Sequence, residues 1–255
     1  MQKRGQLTIF IVIAIIIAAI ILILFIPKIN ITLQPSSPQV SIENCMSESL
    51  SEAIGKVSSQ GGSINPENTI LFQDTKIEYL CYTNQYYLTC TMQQPFLKQH
   101  IEKEIASYVK PAAVTCINNL KNDLEKRNYN VQVGNVDVFT ELVLNNINLN
   151  IQAGMTVTGN GESQKYASFS IRKRSNLYQL VVISTSILNW EARYGDSDPL
   201  SYMLRYPDLK VEKLKQGDGS KIYILTDRTT NEKFMFATRS QAWPAGYGIS
   251  EILRG

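Results

Sequence analysis

Residues 7–26 read LTIFIVIAIIIAAIILILFI, twenty consecutive positions without a charged side chain, a glycine or a proline. This run constrains the chain more than any other feature. A helix of that length rises about 30 Å, the thickness of the hydrocarbon core of a bilayer. A cleaved secretory signal carries a shorter apolar core of about 7–15 residues and a small-residue cleavage site, whereas Phe25, Ile26, Pro27 and Lys28 close this run. A buried soluble helix would need apolar neighbours on every face. The run therefore predicts an uncleaved transmembrane helix. Lys3 and Arg4 precede it and only Lys28 immediately follows, so the positive-inside bias keeps residues 1–6 in the cytoplasm and sends the remainder outward.

The outward part is long enough, within 255 residues and an apolar share of 44%, for one large or two small domains with a real core. Of the formal charge of +3, Lys3 and Arg4 lie before the run and leave 23 basic against 22 acidic residues. That balance gives no electrostatic case for nucleic acid. Cys45, Cys81, Cys90 and Cys116 all fall on the outer side. An even number of cysteines in an oxidising setting predicts two disulfides.

Residues 27–39, with three prolines among small polar residues, suit an extended stalk. Asn30-Ile31-Thr32 within it is a glycosylation sequon, a triplet that also arises by chance. Residues 41–59 place Ile42, Cys45, Met46, Leu50, Ala53, Ile54 and Val57 at helical spacing, with Ser41 as N-cap and Gly61-Gly62 as the stop. Residues 76–92 read as a hairpin turning near Gln85-Tyr86, which sets Cys81 directly opposite Cys90. A second helix over residues 96–127 carries Leu97, Ile101, Ile105, Val109, Ala113, Cys116 or Ile117, Leu120 and Leu124 on one stripe, and Pro111 should kink or divide it. Cys45 and Cys116 both sit on apolar helix faces. A Cys45–Cys116 bridge beside Cys81–Cys90 is therefore the preferred of three pairings, not the only one allowed.

Past Asn130 the period shortens towards two, through Val131 and Val133 and then Ile147, Leu149, Ile151, Ala153, Met155 and Val157. Gly159-Asn160-Gly161 is a turn, and residues 166–171 return as the partner strand. Residues 176–192 regain helical spacing; after a short helix near residues 200–205, three antiparallel strands follow at 209–214, 221–227 and 233–238. The fold class expected is α+β: an N-terminal transmembrane helix, then an extracytoplasmic domain of amphipathic helices and antiparallel sheet over residues 40–255, with a disulfide-stapled lobe at 40–128 and a sheet-rich lobe at 129–255.

Catalytic, metal and cofactor signatures are sparse. His100 is the single histidine and reads as a surface position, with Glu102 and Glu104 facing elsewhere on the wheel. A zinc site, a His-pair motif and a Ser-His-Asp triad all lack support, as do phosphate-binding glycine loops and C-x-x-C pairs. The expectation is a non-enzyme with no cofactor and no metal. Asp196 and Asp198 could hold calcium, but Gly-Asp-Ser-Asp-Pro has the composition of a turn. Arg172-Lys173-Arg174 is the one basic cluster, either a solvated helix start or a patch for acidic glycans, lipid head groups or a partner. Trp243 and Tyr247, among small residues near the end, either dock a partner or close the core.

Lys3-Arg4-Gly5-Gln6, running straight into the hydrophobic segment, resembles the class III leader of archaeal type IV pilin-like proteins and archaellins. The resemblance covers about the first 26 residues and implies cleavage after Gly5, with Gln6 as the first mature residue and the hydrophobic helix packed in a filament core. Many bacterial-type pilins carry glutamate at the fifth mature position; here it is Phe10. The outer domain also resembles uncharacterised membrane-anchored surface proteins of small archaea. Two functions follow: a single-pass, membrane-anchored cell-surface structural or interaction protein, whose partners are the bilayer and other surface proteins or its own copies, or a pilin-like subunit polymerising into an extracellular filament.

Overall fold

A computed structural model describes residues 37–159 and 161–242. Among them are four helices, α1 (Pro38–Ser59), α2 (Leu97–Glu125), α3 (Leu177–Tyr194) and α4 (Pro199–Arg205), and ten strands in two sheets.

The first sheet has six strands. Its path is β1 (Thr69–Phe72), β2 (Thr75–Tyr82), β10 (Lys233–Arg239), β9 (Ser220–Asp227) and β8 (Leu209–Lys215), with the two-residue β3 (Thr91–Met92) also paired to β2. The second has four: β7 (Glu162–Arg174) runs along one edge of β6 (Asn146–Gly159), and β5 (Asp137–Val143) and β4 (Asn130–Gln132) share the other. A bulge between Gln152 and Met155 separates those two pairings, and Gly154 at φ 52° supplies the backbone it requires.

The helices form where apolar spacing fits a 3.6-residue period. On α1 the buried residues are Ile42, Met46, Leu50, Ala53 and Val57, and on α2 they run from Leu97 through Ile101, Ile105, Val109 and Ala113 to Leu120. Each of the larger side chains among them, Val, Leu, Ile or Met, contributes about 1.5–3 kcal/mol when fully buried. The two stripes meet, α2 also lies on β4, β5 and β6, and α3 touches strands of both sheets. One hydrophobic core therefore joins residues of 40–128 to residues of 129–255.

Several expectations are corrected. No helix among the described residues is long and apolar enough to cross a membrane. The architecture of a transmembrane helix followed by an antiparallel domain gives way to an α+β domain with four helices and two sheets, since none of the described helices combines the length and the apolarity of a span. Residues 7–26 lie outside the described residues, as do Gly5, Gln6 and Asn30. The sheet is not purely antiparallel, since β2 and β10 pair in parallel with Tyr79 opposite Ala237. Pro38 and Gln39 belong to α1, not to a stalk. Helix α2 passes Pro111 without a break.

Both disulfides are present, Cys45–Cys116 with Cα atoms 5.9 Å apart and Cys81–Cys90 with Cα atoms 5.2 Å apart, and they fit an oxidising, extracellular environment. Cys45 flanks the buried stripe of α1 and is itself exposed. Cys81 stands opposite Met92 in the ladder, not Cys90. The turn is thus displaced from Gln85-Tyr86, and the bridge closes diagonally. Strand β5 was unreadable in the sequence because its inward residues Val138 and Thr140 are only half-buried.

Candidate interaction surfaces

The α3–α4 corner is positioned by buried charge. Helix α3 ends at Gly195, whose φ of 76° needs a glycine, and Asp198 caps α4 by accepting hydrogen bonds from Leu200 N at 3.1 Å and Ser201 N at 3.3 Å. Between them Asp196 is buried and meets Lys213 at 2.9 Å and Lys221 at 3.2 Å. Lys221 also donates to both oxygens of Glu191, at 3.0 and 2.8 Å, and to the carbonyl of Gly195. Tyr223 donates its hydroxyl to Glu191. Burial pushes the Glu191 carboxyl up, while Asp196, although burial also raises it, is held below its usual range by Lys221 and Lys213. Asp196 and Asp198 thus do different jobs, one an internal counter-ion and the other a cap.

That frame displays a groove of about 590 Å³ lined by Ser186, Trp190, Tyr202, Leu204 and Arg205 among others. Tyr202 reaches across to Ser186, hydroxyl to hydroxyl at 3.0 Å, and pins α4 to α3. Trp190 is 49% exposed and Leu204 76%. Tyr194 packs on Trp190 at 4.9 Å between ring centroids, and the Arg193 guanidinium lies 5.2 Å from the Tyr194 ring. Sequence reading passed over Trp190 and Leu204. The signal for Trp190 lies in α3, where Ile187, Leu188 and Glu191 face inward and Trp190 falls off that stripe.

The outer face of the four-stranded sheet is a second surface. Along β6 the odd positions Ile147, Leu149 and Ile151 are buried, so Asn146, Asn148, Asn150 and Gln152 face away from the core. Cross-strand rows extend this face: Glu141, Asn148 and Arg172 form one, and Phe139, Asn150 and Ser170 the next. The basic cluster is therefore the end of β7, with Arg172 and Arg174 on the outer face and Lys173 on the other, all three exposed. It is not a helix start. Trp243 and Tyr247 lie outside the described residues.

His100 is also corrected. It is half-buried, its Nε2 lies 2.8 Å from Ser63 Oγ, and the same hydroxyl donates to Glu78. Glu104, four residues on and on the same helix face, accepts from Ile64 N at 2.7 Å. Burial lowers the imidazole and raises the Glu78 carboxyl. Ser63 is only 5% exposed and its proton is directed at a carboxylate, so the group ties the end of α1 to β2 and α2. No group of three or more metal-ligating side chains occurs among the described residues.

No protein-family model, curated protein or solved structure matches this chain.

Proposed function

We propose that this chain is a non-enzymatic interaction protein of the cell surface, held at the membrane with its α+β domain outside, and that a second protein docks an apolar side chain into the groove between α3 and α4. The observation that carries this reading is Trp190 beside Leu204, two large apolar side chains exposed on a rigid corner. Exposed apolar surface of this kind marks contact sites, and tryptophan, tyrosine and arginine are the residues that dominate binding energy. Placement outside the cytoplasm is supported by the two disulfides, and attachment by the hydrophobic sequence at residues 7–26. The enclosed Ser63 hydroxyl favours a non-enzymatic role.

The test is a photo-crosslinking amino acid at Leu204 in the full chain on intact cells, with the exposed Leu71 of β1 as a control. Discrete protein adducts at position 204 that vanish with Trp190→Ala are expected. Adducts equal to those at position 71, or recovery of the chain in cytosol with free thiols, would overturn the reading.

A further inference from the structure

The outer face of the four-stranded sheet holds a trough of about 620 Å³, within the range of about 300–1,000 Å³ usual for small-ligand sites. Its floor is made of amides, Asn148 and Asn150, and its sides carry Phe139, Glu141, Arg172 and Glu43. The Phe139 ring is 55% exposed. Asn150 donates to Ser170 Oγ at 3.2 Å, which holds its amide across the face between β6 and β7.

We propose that this trough binds a neutral saccharide. A sugar hydroxyl is donor and acceptor at once, and so are the side-chain amides of the floor. The carboxylates of Glu141 and Glu43 take hydroxyl protons, Arg172 and Asn148 donate, and the exposed Phe139 face lies against the apolar C–H side of a sugar ring. Charge decides against an anion. Arg172 is outnumbered by Glu43 and Glu141 within the trough, so a sulfate, phosphate or uronate would meet repulsion where a neutral ring meets none. The site lies on β5, β6 and β7, apart from the residues of the α3–α4 groove, and stands or falls independently of it.

Full-length protein with its disulfides intact is titrated calorimetrically with neutral oligomers of glucose, mannose and N-acetylglucosamine, and with a sulfated heparin oligosaccharide. Binding of at least one neutral oligomer is expected, weakened at least tenfold by Phe139→Ala and by Asn148→Leu. The heparin oligosaccharide should bind more weakly than the neutral one. Since Phe139 is largely exposed, its variant should keep the unfolding temperature of the parent, so lost binding reads as a lost contact. Binding of the sulfated oligosaccharide alone, no binding of any neutral oligomer, or neutral binding indifferent to both substitutions would overturn the proposal.

Discussion

Glu191 on α3 and Lys221 on β9 meet inside the domain with the ammonium 2.8 Å from Glu191 Oε2, the glutamate fully buried and the lysine 8% exposed. Two charges taken out of water cost several kcal/mol each, and only close geometry with further hydrogen bonds offsets that. Tyr223, Gly195 and Asp196 supply those bonds. The pair thereby fixes the end of α3 against the six-stranded sheet, and with it the groove above.

Lys221→Met strips Glu191 of its counter-ion and should cost about 3–5 kcal/mol in urea unfolding. Replacing Glu191, Lys221 and Tyr223 together by Leu, Met and Phe should recover most of that loss. A triple variant as unstable as the single one would show that the charge is not what the single change disturbs.

The two disulfides should differ in weight. Cys45–Cys116 closes a separation of 71 residues and Cys81–Cys90 one of 9. Loop-closure entropy gives about 4 kcal/mol for the first and about 2.5 kcal/mol for the second. Guanidinium midpoints of the two paired Cys→Ser variants measure this order, and a reversed order would refute it.

His100 and Glu78 should bend the pH dependence of stability in opposite senses. The folded chain holds His100 below its ordinary value, so its contribution is complete above about pH 6.5 and is lost as pH falls through the lowered folded value. Glu78 is held above its ordinary value; its contribution is complete below about pH 4.3 and is lost as pH rises through the raised folded value. Urea midpoints across this range should show a shallower acid-side decline for His100→Gln. Glu78→Gln should lose less stability than the parent as pH rises. Parallel curves for parent and variants would contradict the assignment.

Gly61→Ala should destabilise by about 1–3 kcal/mol. The residue sits at φ 87°, and a Cβ there would come within 2.8 Å of Glu78 Cβ. The unfolding midpoint should fall, whereas Gly55→Ala on the open face of α1, where a Cβ meets nothing within 4 Å, should be neutral or slightly stabilising.

Local sequence by itself determined the elements whose burial is one-sided and regular. The stripes of α1, α2 and α3 and the alternation along β6 were legible because a helix or strand with one wet face repeats its apolar residues at its own period. The hairpin between β6 and β7 was legible too, since Gly159 and Gly161 bracket its turn. Only the tertiary structure decided what depends on partners far along the chain. The parallel pairing of β2 with β10 joins residues more than 150 positions apart, and no local period records it. No local pattern pairs Glu191 with Lys221, and His100 reads as a surface position; the packed fold removed their water and presented Lys221 to Glu191 and Ser63 to His100. A pattern of hydrophobicity reports which face turns inward; it carries no record of which polar group will be waiting there.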